Sequence, residues 1–221
     1  MTTTSLTLRR IRGTTFREVI HKIAERIQEK RFGIKTAGYM SEEALGFSSG
    51  DGRHHYTPLP YAAIERFFAS VAPNPEKDVF VDWGAGMGRV LVLASARPYR
   101  KVVGVEHSPI LCAAAERNLK TARLKQRCGS IEVINADARD FPIPEDSSVM
   151  FFYNPFRGEV LQNVVRRIRA SWETHRRPIT FLVSNHAEFI ADTGSEDWLK
   201  PVSKWTAYPS ISCCVIRSAD S

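Results

Sequence analysis

Along this chain, short apolar runs that stop abruptly alternate with longer stretches in which apolar positions recur every three or four residues. Val79, Phe80 and Val81 favour a strand that ends at Asp82, and the apolar block 90–93 beyond the following glycines suits a helix packed on a sheet. The same rhythm returns three times. Val102, Val103 and Val105 run into Glu106; Ile131, Val133 and Ile134 run into Asn135-Ala136-Asp137-Ala138; and the strand 148–153 runs into Asn154-Pro155-Phe156. A fifth strand is predicted at 179–184.

Helices fill the intervals. Ile64, Phe67, Phe68 and Val71 give one apolar face, Ser108 and Pro109 form an N-cap and first turn for a helix to about 122, and Val160, Val164, Val165 and Ile168 turn inward from a helix over 159–172. Stretches 198–207 and 211–217, joined across Tyr208-Pro209-Ser210, read as a closing antiparallel hairpin. At the N-terminus, a capping-box pattern at Thr15 to Glu18 precedes Phe16, Val19, Ile20, Ile23, Ala24 and Ile27 at helical spacing, up to Phe32-Gly33. That helix is expected to lie with its apolar side on the domain or on a partner subunit and its Arg/Lys side outward. The predicted fold class is α/β: a doubly wound, mostly parallel seven-stranded sheet with a C-terminal antiparallel hairpin. The predicted organisation is a basic amphipathic helical extension over 1–35 and one domain over 36–221.

At 221 residues the chain holds one well-buried domain. No apolar run approaches the roughly 18 residues of a membrane span, so no membrane partner is expected. The net charge of +7 is unevenly placed: residues 1–35 hold nine Lys/Arg against three Glu, 9 − 3 = +6, which leaves 7 − 6 = +1 for the rest. A nearly neutral body with a basic N-terminal segment could attract an acidic partner; a solvated helix face is the plainer reading. Cys112, Cys128, Cys213 and Cys214 show no zinc-site spacing and suit free thiols in a reducing, cytoplasmic setting. Their place in the sequence puts Cys213 and Cys214 on opposite faces of a strand. The first 17 residues, rich in Thr and Arg and free of acids, leave a transit peptide open. His54 and His55 have no third ligand at a recognisable spacing, so no metal is expected.

The chemistry concentrates in Asp82-Trp83-Gly84-Ala85-Gly86-Met87-Gly88-Arg89. Glycines there let backbone approach a ligand closely, and the next helix offers unpaired N–H groups. A dinucleotide fingerprint wants G-x-G-x-x-G, but the place of its third glycine is taken by Arg89, and Asp82 would face a pyrophosphate badly. An acid suits a cationic ligand group better. Glu106, at the end of the neighbouring strand, can accept both ribose hydroxyls of any adenosine ligand.

Asp82, Gly84, Gly86 and Gly88 resemble motif I, D/E-x-G-x-G-x-G, of the class I, seven-strand S-adenosyl-L-methionine (SAM) methyltransferases. The resemblance covers about residues 55–217. It implies a SAM-dependent methyltransferase in which Asp82 and the glycines meet the methionine end, Glu106 the ribose, and Asp137, with Ala138 beside it, the adenine amino group. Tyr56 and Thr57, just ahead of motif I, match a segment that folds over the cofactor. Asn154-Pro155-Phe156 is similar to the [D/N]-P-P-[Y/F] of amino-methyltransferases with one proline too few, and also to the Asn-x-Phe turn of the non-SET lysine methyltransferases. By resemblance, the Asn154 side chain and Pro155 carbonyl would accept hydrogen bonds from a target amine while Phe156 stacks on it. The implied acceptor is a nitrogen nucleophile, protein lysine or another amine. A small-molecule or nucleic-acid methyltransferase, a non-catalytic SAM-binding adaptor and a dinucleotide-binding oxidoreductase remain the alternatives.

Overall fold

Strand β1 (Val79–Trp83) is buried at all five positions, as a run of branched and aromatic residues at the centre of a covered sheet must be. A computed structural model describes residues 16–46, 55–194 and 197–219; Thr15 of the capping box, the turn at 48–52 and His54 lie outside them. On one side β1 pairs in parallel with β2 (Lys101–Glu106), and β2 with β3 (Ser130–Asn135). On the other side it pairs in parallel with β4 (Ser147–Phe152), and β4 with β5 (Thr180–Ser184). The hairpin β6 (Leu199–Ala207) and β7 (Ile211–Ser218) completes a seven-stranded sheet, order β3-β2-β1-β4-β5-β7-β6, with β7 antiparallel to both neighbours. Chain order reverses between β1 and β4. The crevice beyond the carboxyl ends of these strands is where such sheets bind ligands.

Side chains alternate between two cores. Val79, Val81 and Trp83 join Phe152, Phe181 and the inward side of α5 (Gly158–Thr174) on one face. Phe80, Val102 and Phe151 meet α2 (Tyr61–Ala69) and α3 (Arg89–Ser95) on the other. Phe80, Phe151 and Phe181 are essentially fully buried, and each contributes about 1.5–3 kcal/mol of burial. Helix α4 (Pro109–Thr121) is capped by the Ser108 hydroxyl, which accepts from the Leu111 N–H. Cys213 and Cys214 do divide between the two faces, each buried. Sequence periodicity does not show α6 (His186–Thr193), which is short and buries a single apolar side chain, Phe189.

Helix α1 (Phe16–Phe32) departs from expectation. Its apolar positions Phe16, Val19, Ile20, Ile23 and Ile27 are 43–80% exposed, whereas Glu18, His21, Glu25, Gln28 and Glu29 are half-buried and Phe32 is buried. The helix thus lays its acidic side, not its apolar side, against the domain. Arg89 is the physical reason: its guanidinium, 3% exposed, pairs with Glu25 and lies 3.5 Å from Glu29, while its Nε donates to the Thr36 hydroxyl at 2.7 Å. A buried cation that reaches two carboxylates one helical turn apart outweighs the pull of the apolar stripe. Glu29 also accepts from the N–H groups of Thr36 and Ala37 and from the Thr36 hydroxyl.

Because Glu29 and Arg89 serve several partners each, Glu29→Ala or Arg89→Ala should lower unfolding free energy by about 1–3 kcal/mol, the scale of charged hydrogen bonds left unmade. Ile23→Ser should change it by less than about 0.5 kcal/mol, as an exposed site does. Urea unfolding midpoints check both; equal losses at Ile23 and Arg89 would mean that α1 buries its apolar side in solution.

Candidate active site

At the β1 and β2 ends the structure places a cleft of about 920 Å³, counted to its open mouth, lined by Tyr56, Thr57, Asp82, Gly84, Gly86, Glu106, Asp137, Ala138, Asn154, Pro155 and Phe156. Of the residues singled out from the sequence, Gly88 alone is not in that lining. It begins α3 at φ 78°, packed against Ala115.

Asp82 is 3% exposed, and its Oδ2 has no hydrogen-bond partner among the described residues. Burial pushes its carboxyl well above the usual carboxylate range, and repulsion from Glu106 pushes it further. Glu106 is also raised by burial, but backbone N–H groups pull it back: Gly86 donates to Oε2 at 2.9 Å and Ser108 to Oε1 at 2.8 Å. Two positions of the loop that follows β1 cannot carry side chains. A Cβ on Gly84, at φ 77°, would sit 2.4 Å from Pro155 Cβ, and one on Gly86, at φ 56°, 2.6 Å from the Tyr56 ring. Tyr56 donates its hydroxyl to the Thr36 carbonyl at 2.7 Å, so it offers the cleft a ring face and not a donor.

Asp137 follows β3 by two residues, and Arg139 grips it through Nε at 3.0 Å and Nη2 at 2.7 Å, while the Arg139 N–H adds 2.9 Å. Asn154 stands in the left-handed region at φ 49°, its Oδ1 3.4 Å from Arg157 Nη2. Phe156 lines the same cleft; its ring is 7% exposed and meets Phe152 edge-on at 6.3 Å.

The sequence did not reveal Arg89, His55, His107 or Tyr153, which also line the cleft. Only Arg89 carried a signal, an arginine in the place of a fingerprint's third glycine. Among the described residues no group of three or more His, Cys, Asp or Glu could hold a metal ion.

Two buried acids that repel each other, one with an orphaned oxygen, suit a cationic ligand, because Arg89, which also lines the cleft, is paired with Glu25 and Glu29 instead. A pyrophosphate would worsen this balance. SAM brings an ammonium and a sulfonium for the acids and ribose hydroxyls for Glu106, so the residues fit it.

The comparisons agree with this chemistry. Residues 80–189, from β1 into α6, match the family model described as a methyltransferase domain. No curated protein sequence matches the chain. Among solved structures, an RNA methyltransferase from Salinibacter ruber in complex with S-adenosyl-L-homocysteine superposes with a TM-score of 0.51 at 19% identity, covering 75% of this chain and 95% of that one. A SAM-dependent methyltransferase from Aquifex aeolicus gives 0.53 at 12% identity over 71% and 89%, and a TehB-like SAM-dependent methyltransferase from Corynebacterium glutamicum gives 0.51 at 14% over 89% and 96%. At these identities the likeness is one of fold. The sheet order with its reversed last strand defines a doubly wound α/β protein with a nucleoside crevice. The chain belongs to the class I SAM-dependent methyltransferases.

Asp82→Ala and Glu106→Ala should each weaken SAM binding by about 1–3 kcal/mol, as expected for lost hydrogen bonds to charged groups, with the fold retained. Isothermal calorimetry decides it: wild-type affinity in both variants would put the methionine and ribose elsewhere.

Proposed function

We propose that this enzyme moves the SAM methyl group to a nitrogen nucleophile, a protein lysine or another amine, and that Asn154 orients that nitrogen. The observation that carries the reading is the turn after β4. Asn154 is held at φ 49°, a conformation that costs a non-glycine residue roughly 1–2 kcal/mol and Asn least, in the same cleft as Asp82 and Gly84. The contact of Gly84 with Pro155 fixes that turn against the cofactor loop.

SAM, when bound, supplies a methyl carbon already activated by its sulfonium. With SAM bound, the nitrogen lone pair would form the new N–C bond as the electron pair of the S–C bond went to sulfur, and the proton would then leave the methylated nitrogen for solvent. An amine has a single lone pair, and attack opposite sulfur requires it to point at the methyl. Its N–H groups must therefore be held from the other side. The Asn154 side chain and the Pro155 carbonyl are acceptors suited to that task, while Phe156 forms wall.

The exocyclic amine of a nucleobase would present its N–H groups in the same way. That reading draws support from the Salinibacter ruber RNA methyltransferase among the structural relatives. Four buried free thiols suit a reducing compartment, the cytosol in our reading.

Asn154→Ala should lower the single-turnover transfer rate by roughly tenfold to a thousandfold, since each ~1.4 kcal/mol of lost alignment is tenfold, with SAM affinity little changed. Tritiated methyl transfer to fractionated lysate, followed by protease or nuclease digestion, identifies the acceptor class. An O-methylated product, or a wild-type rate in the variant, would remove the amine reading. SAM binding with no transfer to any fraction would leave a binding module.

A further inference from the structure

We infer that the outward face of α1 is a docking surface for an anionic lipid bilayer, on which the helix lies flat with the catalytic body above it. The proposal is independent of the acceptor.

It rests on how the helix divides its sides. Phe16, Val19, Ile20, Ile23 and Ile27 recur at three and four and form one continuous exposed stripe. At 100° per residue, Lys22 and Arg26 border that stripe on one side, Arg31 borders it on the other, and Lys30 lies on it; all four are exposed. The three acids of the helix, Glu18, Glu25 and Glu29, occupy the opposite side, and Glu25 and Glu29 are tied to Arg89, Thr36 and the Tyr61 N–H of the body. The face turned away from the body is thus apolar along its centre and basic on both borders, without an acid. The sequence ahead of the helix adds Arg9, Arg10 and Arg12.

Helices of this division bury the apolar stripe at the headgroup boundary while Lys and Arg reach outward to lipid phosphates. A second copy of the chain fits less well. Pairing two stripes would set the basic borders of one helix against those of the other, with every acid turned to its own body. Nucleic acid fits less well too, because four aliphatic side chains and one ring offer nothing to a phosphate backbone. This is a surface contact and not a span: among the described residues no helix is long and apolar enough to cross a membrane. The sequence offers no reason to expect a membrane partner because it holds no spanning run; a surface contact departs from that expectation.

The full chain is to be sedimented with vesicles of phosphatidylcholine and with vesicles of phosphatidylcholine mixed with phosphatidylglycerol. We expect at least roughly tenfold tighter binding to the anionic vesicles, weakened by salt. Ile23→Ser with Ile27→Ser should lose roughly tenfold of that binding, and Lys22→Glu with Arg26→Glu should abolish the preference, both with unchanged SAM affinity as the control for folding. Equal binding to neutral vesicles, or no binding to either, overturns the proposal. A concentration-dependent dimer lost in the isoleucine variant would assign the stripe to a second copy, and binding of an RNA oligomer that survives in that variant, without vesicle binding, would assign the charge to nucleic acid.

Discussion

Asp82 and Glu106 stand at the ends of adjacent parallel strands, both nearly excluded from water, and no cation among the described residues lowers either carboxyl. Everything around the site follows from holding these acids in place. The strands that carry them are central and buried at every position but Lys101, so their register is fixed by both cores at once. Gly86 turns its backbone N–H back onto Glu106, and Ser108 adds a second. Asp82 receives no such help. Its carboxyl is raised by burial and by its neighbour, which is a cost to the cofactor-free protein and an attraction for a positive ligand. The sign is definite: with a folded-state pKa above the unfolded one, Asp82's contribution to stability is intact below the unfolded pKa and is lost as pH rises through the folded pKa.

Much of this was legible in the sequence because strand ends leave a local mark. Asp82, Glu106 and Asp137 each follow an apolar run, and a doubly wound sheet puts such ends at one edge; the structure brings all three to one cleft. The strand and helix boundaries agree to within a residue or two for the same reason, apart from α6, whose single buried apolar side chain gives no periodicity to read. What could not be read was long-range. Arg89 stood out in the sequence only as the wrong residue for a dinucleotide loop, yet it is the residue to which α1 is fastened, through Glu25 and Glu29 more than fifty positions earlier. Phe156 shows the same limit at short range: its motif says nothing of the edge-on contact with Phe152 that holds its ring.

The orientation of α1 follows from these facts. A periodic pattern reveals that a helix has an apolar side and a charged side, but not which of them the body takes. Here a buried arginine at the cofactor loop takes the carboxylates, and the apolar stripe is left outward between basic borders. The attachment also passes through Thr36, whose carbonyl accepts from Tyr56, whose ring in turn covers Gly86. Helix α1, the segment at Thr36 and the cofactor loop are therefore one connected unit.

The most direct test is proton linkage on cofactor binding. If Asp82 awaits a cation, then SAM binds its ionised form best, binding releases a proton wherever the free carboxyl is still protonated, and affinity rises with pH through the raised Asp82 pKa before levelling off. Calorimetric titration of the wild-type protein with SAM, in buffers of different ionisation enthalpy and across the pH range in which it stays folded, should show this release, and Asp82→Asn should abolish it. SAM binding without proton release and with one affinity at every pH would contradict the proposal that Asp82 holds the positive end of the cofactor.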